Sequence, residues 1–158
     1  MGGYVYVTTG LIKEASNEAE LAGVIGHEIG HIAGRHAVNQ MRDAALTQGI
    51  AGALGVRQDL LVNLGVELAL RLPASRGDEY NADERGFNNL GRAGYAQSGL
   101  VTFMQKLVGQ SRTPTILSTH PAASDRVARL REMLESSATS GATAGLDNSA
   151  YRSRVSSL

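Results

Sequence analysis

From Asn17 onward the sequence carries a helix start followed by an apolar stripe with one carboxylate inside it. Asn17 can cap the helix through its side-chain oxygen, and Glu20, three residues on, can return the bond. Leu21, Val24, Ile25, Glu28, Ile29 and Ile32 then recur at three- and four-residue spacing, which places them on one helix face. Glu28 is the lone charge on that stripe, and a charge turned toward a core requires a partner that compensates its lost hydration. The charge at Glu28 therefore needs a reason.

The remaining pattern reads mainly as helices. Tyr4 to Thr9, a β-branched and aromatic run, predicts one strand with no partner before it, so either later residues pair with it or a preceding part of the domain lies outside this chain. Two further helical patterns fill Ala44 to Leu72, with Leu60, Leu61, Leu64, Leu68 and Leu72 on one face and Pro73 as the stop. Gly49, Gly52 and Gly55 recur there without the preceding strand and following lysine of a phosphate loop, which leaves helix packing or a break. Ser75 can cap a helix bearing Glu79, Ala82, Asp83, Phe87 and Leu90 that stops at Gly91 and Gly94. A short helix fits Ala96 to Val108, and the polar loop Gly109 to Thr119 leads to His120 and Pro121. A helix from Ser124 to about Glu135 turns Val127, Leu130 and Leu134 inward.

Residues 136–146, dominated by Ser, Ala, Thr and Gly, read as a flexible linker, because they bury too little apolar area to offset ordering entropy. Beyond them Asp147 can cap a short helix, residues 147–158, with Tyr151, Val155 and Leu158 on one face, either docked or frayed.

Composition removes several function classes. Fifteen Lys and Arg against 15 Asp and Glu give no electrostatic reason to expect nucleic acid or an anionic membrane. The longest charge-free apolar stretch, Ala44 to Val56, is too short and too rich in glycine to span a bilayer. Without cysteine there is no disulfide, thiol nucleophile or thiolate metal site, so any metal must be held by His and carboxylates.

His27-Glu28-Ile29-Gly30-His31 has the spacing such a site needs. Residues four apart stack one turn above each other, so His27 and His31 can direct a ring nitrogen at one metal. Glu28 projects near the same face, where it can hold a water on the metal and accept its proton. Two surface histidines on an ordinary helix would show the same spacing, so the pattern needs a third ligand. A catalytic zinc takes three protein ligands and keeps one position open. Glu79 is the best downstream candidate, with Asp83 one turn further on and able to bond the outer nitrogen of a ligating His. Taken alone, that pair also fits a solvated helix face.

Three ordered stretches, HEIGHIAGRH from His27, SRGDEYNAD from Ser75 and THPAASDR from Thr119, resemble the zinc metallopeptidases related to HtpX and the CAAX prenyl proteases, nearest the soluble bacterial envelope branch. The resemblance covers roughly residues 2–135. It implies an α+β, mainly helical zincin-like domain of the gluzincin type, with a small β-sheet next to the zinc helix. It further implies one zinc ion per chain held by His27, His31 and Glu79, with Glu28 as general base and acid and Asp83 partnering a ligating His. It gives His120 a place over the zinc, as oxyanion donor or as occupant of the open position. Arg76 and Arg126 match family positions as structural or substrate-side residues. His36, about 140° around a continuous helix from His31, is left without a ligand role.

The expected activity is a zinc endopeptidase acting on a protein or peptide substrate, with residues 1–135 as the catalytic domain. The resemblance implies a bacterial cell envelope or periplasmic setting and an N-terminal portion of the domain outside this chain; no oligomeric state follows. A latent or chaperone-like envelope module whose zinc is blocked by His120, and a helical interaction domain without metal, are the rival readings.

Overall fold

The computed structural model describes residues 4–47, 75–109, 120 and 124–158. These residues are mainly helical: α1 Thr9–Glu14, α2 Glu18–Ala33, α3 His36–Thr47, α4 Arg76–Arg92, α5 Ser98–Gly109, α6 Ser124–Ser136 and α7 Asn148–Val155. The expected features within 48–74, 110–119 and 121–123, including the Leu60 to Leu72 face, the repeated glycines and Pro121, lie outside the described residues.

The start of α2 follows the capping logic of its sequence. Asn17 Oδ1 accepts the Glu20 N–H at 2.9 Å, and Glu20 Oε2 accepts the N–H of Ser16, one residue before the cap, at 2.7 Å. Glu20 is only 3% exposed. Lys106 Nζ, 2.7 Å from Glu20 Oε2, compensates its charge and ties α5 to the first turn of α2.

The buried face of α2 is not the Leu/Ile stripe. Ala19, Glu20, Gly23, Val24, Gly26, His27 and Gly30 are buried, whereas Ile29 and Ile32 are 44% and 47% exposed. The physical reason is how closely the neighbours approach. A Cβ added to Gly30 would lie 2.8 Å from Ala82 O, and one added to Gly86 would lie 2.8 Å from His27 N. The small residues therefore bring α2 and α4 together backbone to backbone, a face that hydrophobic periodicity does not reveal.

α2 packs chiefly on α4 and α5, and α6 closes over α5 and α4. Val24, Phe87, Leu90, Leu100, Phe103, Met104, Leu107, Val127 and Leu130 form most of the core between them. α4 starts where Ser75 accepts the Asp78 N–H at 3.1 Å, and it continues past Gly91 to Arg92, with Gly94 in the left-handed region at φ 82° just beyond.

No strand occurs among the described residues, so the small sheet is not seen there. The expected strand also ended too late. Thr8 accepts the Leu11 N–H and caps α1, so Thr9 is already helical. Residues 136–146, expected as a linker, are bonded to the core: the Ala19 N–H donates to Gly145 O at 3.0 Å and the Ala96 N–H to Ala144 O at 2.9 Å. α7 docks through Tyr151, whose hydroxyl donates to Ile12 O at 2.7 Å, while Leu158 stays 52% exposed.

Candidate metal centre

The close approach of α2 and α4 sets three polar side chains face to face, and His120 joins them. His27 and His31, one turn apart on α2, hold their Nε2 atoms 3.0 Å from each other. Glu79 projects from the first turn of α4, where the helix dipole favours an anion. Its Oε1 lies 3.3 Å from His31 Nε2 and its Oε2 lies 3.5 Å from His27 Nε2. His120 completes the group, with Nδ1 3.0 Å from Glu79 Oε1 and 3.4 Å from His27 Nε2. One ligand atom from each of these four residues falls within 4.8 Å of every other. Glu28 stands at the edge of the group, about a third exposed, with Oε1 3.3 Å from His120 Nε2.

Behind the group lies a charged support. Asp83 Oδ1 stands 2.9 Å from His27 Nδ1, off the ideal hydrogen-bond line. Arg126, brought in by α6 and only 2% exposed, donates to both Asp83 oxygens at 2.7 Å and lies against Glu79 Oε2. Burial opposes ionisation of Glu79, but hydrogen bonds with His120 and His31 and the Arg126 charge outweigh it and hold the carboxyl well below the usual range. Asp83 is likewise depressed, because Arg126 and His27 overcome its burial. Burial pushes the His27 imidazole below its ordinary value despite Asp83, which favours the neutral ring that a metal needs. For His120 the balance reverses: Glu79 and Glu28 outweigh burial and raise it.

These residues fit a divalent cation of borderline softness. Two imidazole nitrogens and a carboxylate converge with lone pairs facing one another, an arrangement that is unfavourable without a positive charge between them. Glu79 Oε2 is buried and has no aligned donor, although Arg126 Nη1 is close. The carboxylates of Glu28, Glu79 and Asp83 outnumber the guanidinium of Arg126, which suits a cation. Imidazole and carboxylate donors match zinc.

Of the residues expected at the site, the structure brings His27, Glu28, His31, Glu79, Asp83, His120 and Arg126 together. Arg76 is largely exposed, with Nη1 3.5 Å from Asp125 Oδ2. Two features escaped the sequence reading. Tyr80 donates its hydroxyl to Asp125 and so latches α4 to α6 beside Arg126. His36 packs directly behind His31, with the two Nδ1 atoms 2.9 Å apart. Gly34, a helix-stop signal, could have shown that α2 does not continue to His36.

Comparison with known proteins agrees with this geometry. Residues 1–134 match peptidase family M48. The chain is 33% identical over 149 residues to the beta-barrel assembly-enhancing protease of Escherichia coli O157:H7, covering 82% of this chain and 30% of that protein. It is 32% identical over 148 residues to the metalloprotease YcaL of Escherichia coli strain K12, covering 85% and 56% respectively. A mitochondrial metalloendopeptidase, OMA1 of Arabidopsis thaliana, is 38% identical over 129 residues, covering 78% of this chain and 26% of its own length. The chain thus spans about a third of the beta-barrel assembly-enhancing protease and about half of YcaL.

Proposed function

The chain belongs to peptidase family M48, and on that premise we propose that it is a zinc-dependent endopeptidase that hydrolyses peptide bonds in proteins. The convergence of His27, His31 and Glu79 beside Glu28 carries this reading. The first three hold one Zn(2+) per chain, and Asp83 orients the His27 ring from its outer nitrogen, itself held by Arg126. When bound, zinc supplies Lewis-acid polarisation of the scissile carbonyl and acidifies water. Glu28, partly exposed at the rim, takes the proton of the attacking water and hands it to the leaving amine. His120 donates a hydrogen bond to the oxyanion, a contribution whose loss typically costs about 100- to 1,000-fold in rate.

A second reading is favoured by one observation: His120 Nδ1 sits inside the donor group rather than above it. There His120 would be a fourth residue holding the zinc, and the protein would rest in a latent state as an envelope protein-binding module. In that case His120→Ala raises proteolysis; in the oxyanion role it abolishes it.

Residues 1–135 form the catalytic unit in this reading, with 136–146 connecting it to the C-terminal helix within 147–158. Exposure alternates along Tyr4, Val5, Tyr6 and Val7 at 82%, 39%, 87% and 39%, the period of a strand, which supports a small sheet once a second strand pairs with it. A setting in the bacterial cell envelope or periplasm is supported by the relative named for beta-barrel assembly. No described helix is long and apolar enough to cross a membrane.

The test is metal content together with proteolysis of an unfolded protein substrate. One zinc per chain, with activity lost in Glu28→Gln while zinc is retained, is the expected result. A folded chain that takes up no zinc, or full activity in Glu28→Gln, rejects the proposal.

A further inference from the structure

His36 is the histidine the peptidase reading leaves unused, and a strained turn sets its position. α2 ends at Ala33, Gly34 and Arg35 turn the chain, and α3 begins at His36. Arg35 has φ 54°, in the left-handed region that disfavours every residue with a side chain. Such strain persists only where the surrounding structure holds it. The turn lays the His36 ring over Gly34: a Cβ on Gly34 would lie 2.1 Å from His36 Nε2, so the ring fits only because residue 34 has no side chain. His36 ends 5% exposed.

The contacts of that ring have one consistent direction. His36 Nδ1 lies 2.9 Å from His31 Nδ1, with the ring planes at 88°, and of two neutral ring nitrogens in such contact one donates and the other accepts. His36 Nε2, on the far side, faces Asn81 Oδ1 at 3.2 Å and Asp78 Oδ1 at 3.8 Å. Arg85 Nε donates to the same Asn81 oxygen at 2.7 Å, which fixes it as an acceptor. His36 must therefore carry its proton on Nε2, because a bare Nε2 would set lone pair against lone pair. Its Nδ1 is then the acceptor, and the proton between the two histidines belongs to His31 Nδ1. That leaves His31 Nε2 deprotonated on the side where His27 and Glu79 converge.

We propose that His36 is a positioning residue that accepts the His31 Nδ1–H, and so holds His31 in the tautomer that turns a free Nε2 to the metal. The inference rests on the zinc reading above. It makes Gly34, Arg35 and Asn81 part of the support of the site: the first two aim His36, and the third, on the helix that carries Glu79, anchors it.

The test uses the whole chain, labelled with 15N and loaded with zinc alone. Imidazole 1H–15N correlation is expected to show His31 protonated and slowly exchanging at Nδ1 and metal-bound at Nε2. By chelator competition, His36→Ala is expected to weaken zinc binding by about 10- to 100-fold, the usual cost of losing such a partner. Its His31 Nδ1 proton should exchange rapidly. His36→Asn, which returns an acceptor oxygen close to the lost Nδ1, should recover most of the affinity. Coordination of zinc through His31 Nδ1, read from the wild-type spectrum, overturns the proposal even if His36→Ala does not fold. Unchanged affinity and an unchanged His31 proton in His36→Ala overturn it as well. If His27→Ala removes zinc while His36→Ala does not, only this inference falls; if the wild-type chain binds no zinc, both readings fall.

Discussion

Arg126 holds both oxygens of Asp83 at 2.7 Å while the same guanidinium lies against Glu79. One cation from α6 thus binds two carboxylates of α4 that contact His27 of α2, so helix packing and the candidate metal centre share a charge network.

Removing that cation leaves two buried carboxylates without the guanidinium that both contact. Arg126→Met is expected to cost about 3–5 kcal/mol, the range for breaking a buried ion pair from one side. Chemical denaturation with and without zinc checks this: the loss should be larger in chelator, because bound zinc neutralises Glu79 in place of the arginine.

Zinc itself should stabilise the fold, since the donor atoms of α2 and α4 converge only in the folded chain. Zinc at a hundredfold excess over its dissociation constant adds about 2.7 kcal/mol, so thermal melting should shift upward with zinc and back with chelator. His31→Ala should remove the shift. A melting temperature indifferent to zinc would contradict the placement of the ligands.

Gly86→Ala sets two effects of opposite sign against each other. Alanine in a helix gains up to about 1 kcal/mol over glycine, but its Cβ would meet His27 N at 2.8 Å. Overpacking of this kind typically costs about 1–3 kcal/mol. The clash is with backbone, which cannot swing aside, so net destabilisation is expected, together with weaker zinc binding as His27 is pushed from Glu79. Paired melting and zinc competition measure both.

Asp147 accepts the N–H groups of Ser149 and Ala150 at 2.9 Å and the Ser149 hydroxyl at 2.7 Å, and the Ala150 N–H, then the Ser149 hydroxyl, holds its carboxyl below the ordinary value. A carboxyl depressed in the folded state stabilises above its unfolded value near 4 and loses that contribution as pH falls through the folded one. Hydrogen-exchange protection of residues 148–155 should therefore decline in that acid window. In Asp147→Asn, which caps without a charge, this component of the pH dependence should vanish.

The residues of the candidate site were legible in the sequence because their pattern is local: His27 and His31 sit one turn apart, and Glu79 and Asp83 repeat that spacing on a second helix. The start of α2 was legible for the same reason, through Asn17 and Glu20. The packing face of α2 was not, because Gly26 and Gly30 act by what they lack, and hydrophobic periodicity favours Ile29 and Ile32, which the described residues leave exposed. His36 was missed because its place depends on one left-handed residue, Arg35, where a continuous helix would have carried it away from His31. Residues 136–146 are held by the backbone carbonyls of Ala144 and Gly145 and by the hydroxyls of Ser137 and Thr139 on Gln97, particular pairings to which composition is blind.

The contacts of the C-terminal helix join the two ends of the chain. Tyr151 reaches Ile12 across 139 positions and Asn148 reaches Asn17 across 131. Loops of that length close slowly and gain nothing until both ends have a surface to meet. α7 docks on α1 and on the capped end of α2, so its docking is coupled to the helix that bears His27 and His31.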